Sequence, residues 1–524
     1  MNKKHRAAAA ALCMSILLCG CSAREPEPEK NAAETGGIQS SAGEAAGAYA
    51  DDVFSLNYDA SATLNPFTGT GSANLALAPL MYEGLFAVNA QFGYDNVLCQ
   101  SISSSDGVSF RLDIKSGVKM HDGSELTAED AAASINQARV SARYSARLSI
   151  IAAAYTIDGS LYVELTRPNY SLPLLLDIPI VRAGTEKSDV PVGTGAYCYF
   201  DGGDYCCLKA FDGYRDRESA PLERIYLRSY EGDELISAFE SGLIDLVSSS
   251  RADINYLEFG GNTEMRYADT TNLFFLGVSR SCAFLDDKNR RILFSSCIDR
   301  AGLAQSAING TETTLPLNPS SYLWRDDYDQ FTIRKTDIEK AMEIYAVQDY
   351  DGDGSLEFIN SAGVAEKITL SLVVCRENPV KLDIAHRLRD SFGEIGITLN
   401  VKELSWSEYI SALQAGNYDI YLAETEMTAD FDLTELMVYG GSANYGVYDP
   451  ALQTLIYDFN AADSEHRQDA AGALYSYTAE NLPIIPLMFE KKTVYTHRET
   501  VTGLEPTVHS LFGTVTDWTV SLEG

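Results

Sequence analysis

The run from Phe110 to Ile135, FRLDIKSGVKMHDGSELTAEDAAASI, constrains its own local fold more tightly than any other stretch of this sequence. Phe110, Leu112 and Ile114 alternate with Arg111, Asp113 and Lys115, which is the period of a strand with one buried face. Gly117 ends that strand, and His121-Asp122-Gly123-Ser124 carries the Asp-Gly pair of a tight turn, whose backbone needs a residue tolerant of positive φ. Thr127 with Asp130 three residues later reads as a capping box, after which Ala128, Ala131, Ile135 and Ala138 recur at helical spacing. The stretch therefore predicts strand, turn and capped helix. His121 sits in the turn with two readings, a catalytic base or a structural turn residue.

With 524 residues the chain is too long for one core, and ordinary domain sizes imply about two to four structural units. Its start is distinct: Lys3, Lys4, His5 and Arg6 precede an apolar run from Ala7 to Leu18, too short to span a bilayer comfortably and suited to a signal peptide. Leu18-Cys19-Gly20-Cys21 resembles a bacterial lipobox, which implies cleavage before Cys21 and acylation of its thiol; cleavage by ordinary signal peptidase is the alternative. Removing Lys3, Lys4 and Arg6 leaves 37 basic residues against 74 acidic ones, a net charge of −37. Such a field repels phosphate backbones and anionic headgroups, which excludes nucleic acid as a partner and suits a chain outside the cytoplasmic membrane. Residues 21–50, rich in Glu, Ala, Gly, Ser and Pro, read as a flexible tether. Seven cysteines remain after Cys21; their number is odd, their spacing irregular, and no Cys-x-x-Cys occurs, so they form no disulfide framework or zinc motif, with a single bridge left open.

Beyond residue 51 strands and helices alternate. Asp158-Gly159 between Thr156-Ile157 and Leu161–Leu165 is a hairpin signal, and Glu231–Ser241 predicts a helix closed by Gly242 with Leu235, Ile236 and Phe239 as its buried stripe. Asn272–Val278 is a continuous apolar strand. After it the pattern alternates through helix Asp337–Val347, strand Ile368–Val374, helix Val380–Phe392, strand Ile397–Val401, helix Trp406–Ala415 and strand Tyr418–Ala423, a parallel-sheet signature. Helices near Ala451–Asn460 and Glu465–Glu480 then lead to a buried strand, Leu482–Leu487.

The uninterrupted residues Gly117–Asp130, GVKMHDGSELTAED, strongly resemble the signature segment of the peptide- and nickel-type solute-binding proteins of bacterial ABC importers, where that segment is scaffold. Thr63–Phe67, Tyr82–Leu85, Pro191–Tyr197, Leu208–Val247 and Asp287–Arg300 resemble further landmarks of the family. The resemblance implies an α/β chain of two lobes joined by hinge crossovers, with the ligand enclosed between them. The implied division is 1–20 signal peptide, 21–50 lipid-anchored tether, 51–271 first lobe with an extra subdomain at about 85–190, 272–490 second lobe, and 491–524 returning to complete the first lobe's sheet. It places Gly193 and Gly195 at a lobe crossing. It also implies a monomer on the outer face of the cytoplasmic membrane, partnered by a permease with ATPase subunits.

Implied ligand residues are Thr70, Gly71 and Ser72, where backbone approaches the ligand, an ordinary turn being the other reading; Tyr144, as pocket wall or helix-surface tyrosine; and the loop Glu426-Met427-Thr428-Ala429-Asp430, in which Asp430 meets the α-ammonium of a peptide, with a solvated loop carboxylate as the alternative. Arg143 and Arg147 suit the other reading, a carboxylate-rich chelated metal of the nickel type; a surface sensor is a third. Catalysis is disfavoured, since no Gly-x-Ser-x-Gly or His-Glu-x-x-His occurs and the histidines are scattered. No cofactor is expected apart from one calcium candidate. Asp349, Asp351 and Asp353, with Gly at the sixth position, form the first half of a calcium loop, but its twelfth position is Asn360 rather than the bidentate Glu; an acidic hairpin turn is the other reading.

Overall fold

The computed structural model describes residues 53–253 and 256–522. The leader, the tether and Cys21 lie outside these described residues. An eleven-stranded sheet runs through the molecule in the order Thr398–Leu404, Thr369–Cys375, Ile420–Glu426, Thr263–Val278, Ile484–His497, Leu246–Ser250, Ser55–Asn57, Arg224–Arg228, Cys206–Ala210 and Tyr197–Asp201, with Thr311–Glu312 beside Ile484–His497. The two longest strands, Thr263–Val278 and Ile484–His497, are antiparallel partners, and each changes neighbours half-way. Thr263–Asp269 faces Lys491–His497 next to Leu246–Ser250, whereas Leu273–Gly277 faces Ile484–Phe489 next to Ile420–Glu426. Between Asp269 and Leu273 the register breaks. The two lobes are thus joined by paired strands that cross together at this irregularity.

In the second lobe the strands Thr369–Cys375, Thr398–Leu404 and Ile420–Glu426 pair in parallel, linked by helices Pro379–Glu394 and Trp406–Ala415. The first helix buries Ile384, Leu388 and Phe392 in the core that holds Leu372 and Leu422; the second buries Tyr409 and Leu413 in the core that holds Val373 and Tyr421. Period two along the strands therefore feeds two opposite cores, and the helices cover both faces. Pairing turns antiparallel at Thr263–Val278, so the sheet is mixed, not parallel throughout. The strand read as Tyr418–Ala423 extends to Glu426, because Thr425 and Glu426 still pair with Leu273 and Asn272.

The first lobe carries a separate four-stranded sheet, Cys99–Ser103, Ser109–Ile114, Ser160–Leu165 and Ile151–Ile157, backed by helix Ala128–Ala138. Both arms of the Thr127–Asp130 capping box form, and Asp130 also accepts the Ala183 N–H at 2.8 Å, so the cap ties the helix to a distant loop. Asp158 and Gly159 have φ of 50° and 81°, the left-handed pair of the predicted hairpin. Helix Gly232–Glu240 ends at Gly242 with φ 74°, and Phe239 is fully buried.

Two expectations are corrected. Gly193 and Gly195 are not at a lobe crossing: a Cβ on Gly193 would lie 2.3 Å from the Met81 carbonyl oxygen, and one on Gly195 2.5 Å from that of Leu80. They let the chain press against the end of helix Ser72–Met81, where no side chain fits. Of the returning segment, Lys492–Thr496 does pair with Leu246–Ser250 in the large sheet, but the residues after His497 add no strand to it. Gly503, Pro506 and Gly513 interrupt these last residues, which form a short ribbon, Val501–Thr502 with Thr519–Val520, and whose Leu504, Phe512 and Trp518 pack into the first lobe's core. The seven cysteines among the described residues form no disulfide.

Candidate functional site

The loop after strand Ile420–Glu426 is anchored to the crossing: the Met427 N–H donates to the Thr271 carbonyl at 3.0 Å. Met427 is a core residue, Thr428 half-buried, Phe431 left-handed at φ 52°, and Asp430 only 1 % exposed. One Asp430 carboxylate oxygen accepts the Asn169 amide at 2.8 Å, the other accepts the Thr428 hydroxyl and, at 3.4 Å, the Asp432 N–H. Asn169 belongs to the first lobe's extra sheet region, so this is a bond between lobes. Beside it Arg167 pairs with Asp432 at 2.8 Å, the Tyr170 N–H donates to the Asn460 carbonyl at 3.3 Å, and the Phe92 and Phe431 rings meet edge to face at 5.1 Å. Burial pushes the Asp432 carboxyl up, but Arg167 and the hydrogen bonds of Thr434 and Asn460 outweigh it and hold the group below its usual value.

Glu426, at the strand end, stays exposed. Its charge acts on Arg147 and His509 from the first lobe's side. Arg147 forms an ion pair with Asp177 and donates to the Leu174 carbonyl at 3.2 Å; burial lowers its guanidinium to about 10, still charged at neutral pH. His509 contacts the other Asp177 oxygen, and burial followed by the Arg147 charge holds the imidazole well below its usual value, hence neutral. One turn earlier Tyr144, 9 % exposed, packs edge-on against Phe67 at 6.3 Å, and the exposed Arg143 guanidinium lies 5.3 Å from its ring centroid. Tyr144 is therefore a residue of the first lobe's core rather than a helix-surface tyrosine. Thr70 and Ser72 are exposed, and Gly71 opens helix Ser72–Met81 at an ordinary φ of −72°, so that glycine meets no conformational demand here.

The crossing has its own buried acid, Glu490, 5 % exposed. It accepts the Ser250 hydroxyl from one lobe and the Asn272 amide from the other at 2.8 Å, and burial raises its carboxyl. Sequence reading passed over Glu490, Asn169, Arg167, Asp177 and His509. Glu490 had a signal, a charge inside an apolar strand; the others have partners more than 200 residues away and no local pattern. His121 takes the structural reading, its Nε2 on the Gly195 carbonyl at 3.0 Å and its ring pushed down by burial. Asp349, Asp351 and Asp353 are exposed on their turn. A groove of about 770 Å³ lined by Ser279, Arg280, Tyr418 and Tyr445 contains none of the expected ligand residues. No helix among the described residues is long and apolar enough to cross a membrane.

The geometry is therefore two α/β lobes on crossing strands, in contact through Asn169–Asp430 and Arg167–Asp432. Comparison with known proteins accords with it. The chain is 21% identical over 383 residues, 68% of its length and 69% of the relative's, to an oligopeptide-binding protein, AppA, of Bacillus subtilis. It is 22% identical over 488 residues, 84% and 89% of the two chains, to a glutathione-binding protein, GsiB, of Escherichia coli. A solved structure described as a nickel ABC transporter from Bacillus halodurans superposes with a TM-score of 0.72 at 18% identity, covering 89% of this chain and 99% of that one. The family model for bacterial extracellular solute-binding proteins, family 5 Middle, matches residues 94–446, and the chain belongs to that family.

Proposed function

We propose that the protein is an exported solute-binding lipoprotein that takes a peptide between its lobes and delivers it to a membrane-embedded ABC permease with its ATPase subunits. The observation that carries this reading is the meeting of opposite charges across the lobes, Glu426 and Asp430 on one side and Arg143 and Arg147 on the other. A free peptide carries one ammonium and one carboxylate, and a two-signed cleft suits both ends. Thr428 and Met427 shape the acidic rim, Tyr144 forms the opposite wall, and Thr70, Gly71 and Ser72 offer backbone groups. In this reading the ammonium replaces the Asn169 amide on Asp430, and Glu426 adds charge beside it. The peptide ligands named for the two relatives support it. The lobes run 51–271 with 491–524, and 272–490; acylated Cys21 and the tether hold the monomer at the outer face of the cytoplasmic membrane, with labelled palmitate entering wild type but not Cys21→Ser as the check.

A chelated metal is the second reading, favoured by the nickel neighbour. It asks for Arg or His against a carboxylate-rich ligand, where Arg143 is exposed and Arg147 would have to share its charge with Asp177. Mass spectrometry of ligand co-purified with the full chain identifies peptides for calorimetry on wild type, Glu426→Gln and Asp430→Asn, each with free and N-acetylated forms. Removing one partner of a desolvated charge pair costs roughly 2–5 kcal/mol, or about 1.5 to 3.5 decades in affinity. Asp430→Asn and N-acetylation should each produce a loss of that order without adding to one another. Equal wild-type affinities for free and acetylated peptides would remove the acidic rim from ligand recognition and favour the chelate.

A further inference from the structure

We infer that the turn from Asp349 to Glu357 on the second lobe is a calcium site, with Asp349, Asp351, Asp353 and Glu357 as its carboxylate ligands. The linear spacing leaves the shell open, because Asn360 stands at the twelfth position. The fold closes it from another place. Glu357 opens strand Glu357–Ile359 and is 3 % exposed; its Oε2 accepts the Tyr350 N–H at 2.7 Å, while its Oε1 is buried with no hydrogen-bond partner. A buried carboxylate oxygen without a donor is unfavourable unless a cation meets it.

One ligand oxygen from each of the four acids lies within 4.8 Å of the others. Two oxygens sharing a calcium ion at about 2.4 Å can be at most about 4.8 Å apart, a limit the four oxygens meet. The turn is already folded around its acids: Gly352 and Gly354 adopt φ of 79° and 89°, and the Asp349 carboxylate accepts the N–H groups of Gly352 at 2.6 Å and Gly354 at 2.9 Å. The cation now facing the cluster is Lys367, in contact with Asp353 and 3.4 Å from Asp351. Its side chain is 46% exposed, so the ammonium can swing out as a divalent ion takes its place.

This site is independent of whatever the cleft holds. Phe358 and Val347 pack into the core on the Leu372 and Leu422 face of the sheet, whereas Met427 and Phe431 pack on the Val373 and Tyr421 face. The Leu356 N–H donates to the Gly396 carbonyl at 2.8 Å, so an ion here braces the small sheet Val347–Gln348, Glu357–Ile359 and Ala365–Lys367 against the turn after helix Pro379–Glu394.

The test uses the full chain stripped with chelator and titrated with calcium and with magnesium chloride by calorimetry. Terbium luminescence excited through Tyr350, inside the turn, gives a second readout. One calcium site should appear with Kd on the order of 10⁻⁴ to 10⁻³ M, as in extracellular calcium modules, together with a Tm that rises in calcium and falls back with chelator. Asp351→Asn, a change at an exposed side chain, should weaken calcium by about tenfold or more, since affinity follows ligand charge. Lys367→Gln should strengthen it several-fold by removing the competing ammonium. No calcium response in wild type up to about 10 mM, or an equal response to magnesium, would overturn the site. So would a Lys367→Gln protein that melts lower without binding calcium more tightly.

Discussion

Asp245 is 8 % exposed, and its carboxylate accepts the Ser55 N–H at 2.6 Å. Burial pushes this carboxyl to about 7, against the opposing pull of the Ser55 bond and Arg228. The unfolded chain ionises it near 3.8, so between those values the folded state binds the extra proton. Stability from this group is therefore fully present below about pH 4 and is lost as pH rises toward 7. Asp245→Asn keeps an acceptor for Ser55 and carries no charge. At pH 8 the variant should gain on wild type by roughly 2–4 kcal/mol, with a much smaller difference at pH 4, read as Tm against pH. Two parallel Tm curves would show that the folded protein does not strain this carboxyl. His121 illustrates the same physics without the liability, since a neutral imidazole on a carbonyl needs no counter-charge.

At the scale of elements, close backbone approach matters as much as periodicity. The capped helix Ala128–Ala138 can be read from neighbouring residues, but the packing of Gly193 and Gly195 against residues 80–82 cannot. Gly195→Ala would set a Cβ 2.5 Å from both the Leu80 oxygen and the Met81 carbonyl carbon, backbone atoms with no rotamer to yield. Overpacking of this kind costs about 1–3 kcal/mol, and denaturant melts should show a lower midpoint with an unchanged m-value. A midpoint equal to wild type would mean that the segment before strand Tyr197–Asp201 simply shifts away. The long strands at the crossing obey a related rule. Their register break at Asp269–Leu273 frees polar groups that Glu490, Asn272 and Thr270 take up, with the Thr270 hydroxyl donating to the Glu490 carbonyl at 2.8 Å.

For the whole molecule, the described state is one in which the lobes touch through Asn169–Asp430, Arg167–Asp432 and Phe92–Phe431. Asn169→Asp would set a second carboxylate against the buried Asp430. Two carboxylates facing one another there have no donor between them, and the lost amide donor alone costs about 1–3 kcal/mol, so the contact state should give way to separated lobes. Small-angle scattering of the ligand-free variant should show a larger radius of gyration than wild type at pH 7.5. An unchanged radius would mean that this bond does not govern the distance between lobes. Because the same amide occupies Asp430, a peptide ammonium in the proposed reading competes with closure as well as contributing to it.

What the sequence determined by itself is local. Capping at Thr127 and Asp130, the Asp158-Gly159 hairpin, the Gly242 helix end and the helix–strand alternation of the second lobe all rest on hydrogen bonds and side-chain periods spanning a few residues, so neighbours in the chain suffice to predict them. The unbroken run Gly117–Asp130 carries family likeness for the same reason, being one contiguous structural unit. Only the tertiary structure decided which acid meets which partner. Asp430 and Asn169 stand 261 positions apart, His509 and Asp177 332 apart, and neither pair has a period or a motif. The acidic turn makes the point within nine residues: its spacing ends at Asn360, but the strand that follows turns Glu357 inward and leaves Oε1 without a donor. Burial and long-range pairing are properties of the folded surface, and a carboxylate's charge, freedom and ligand follow from them rather than from its place in the chain.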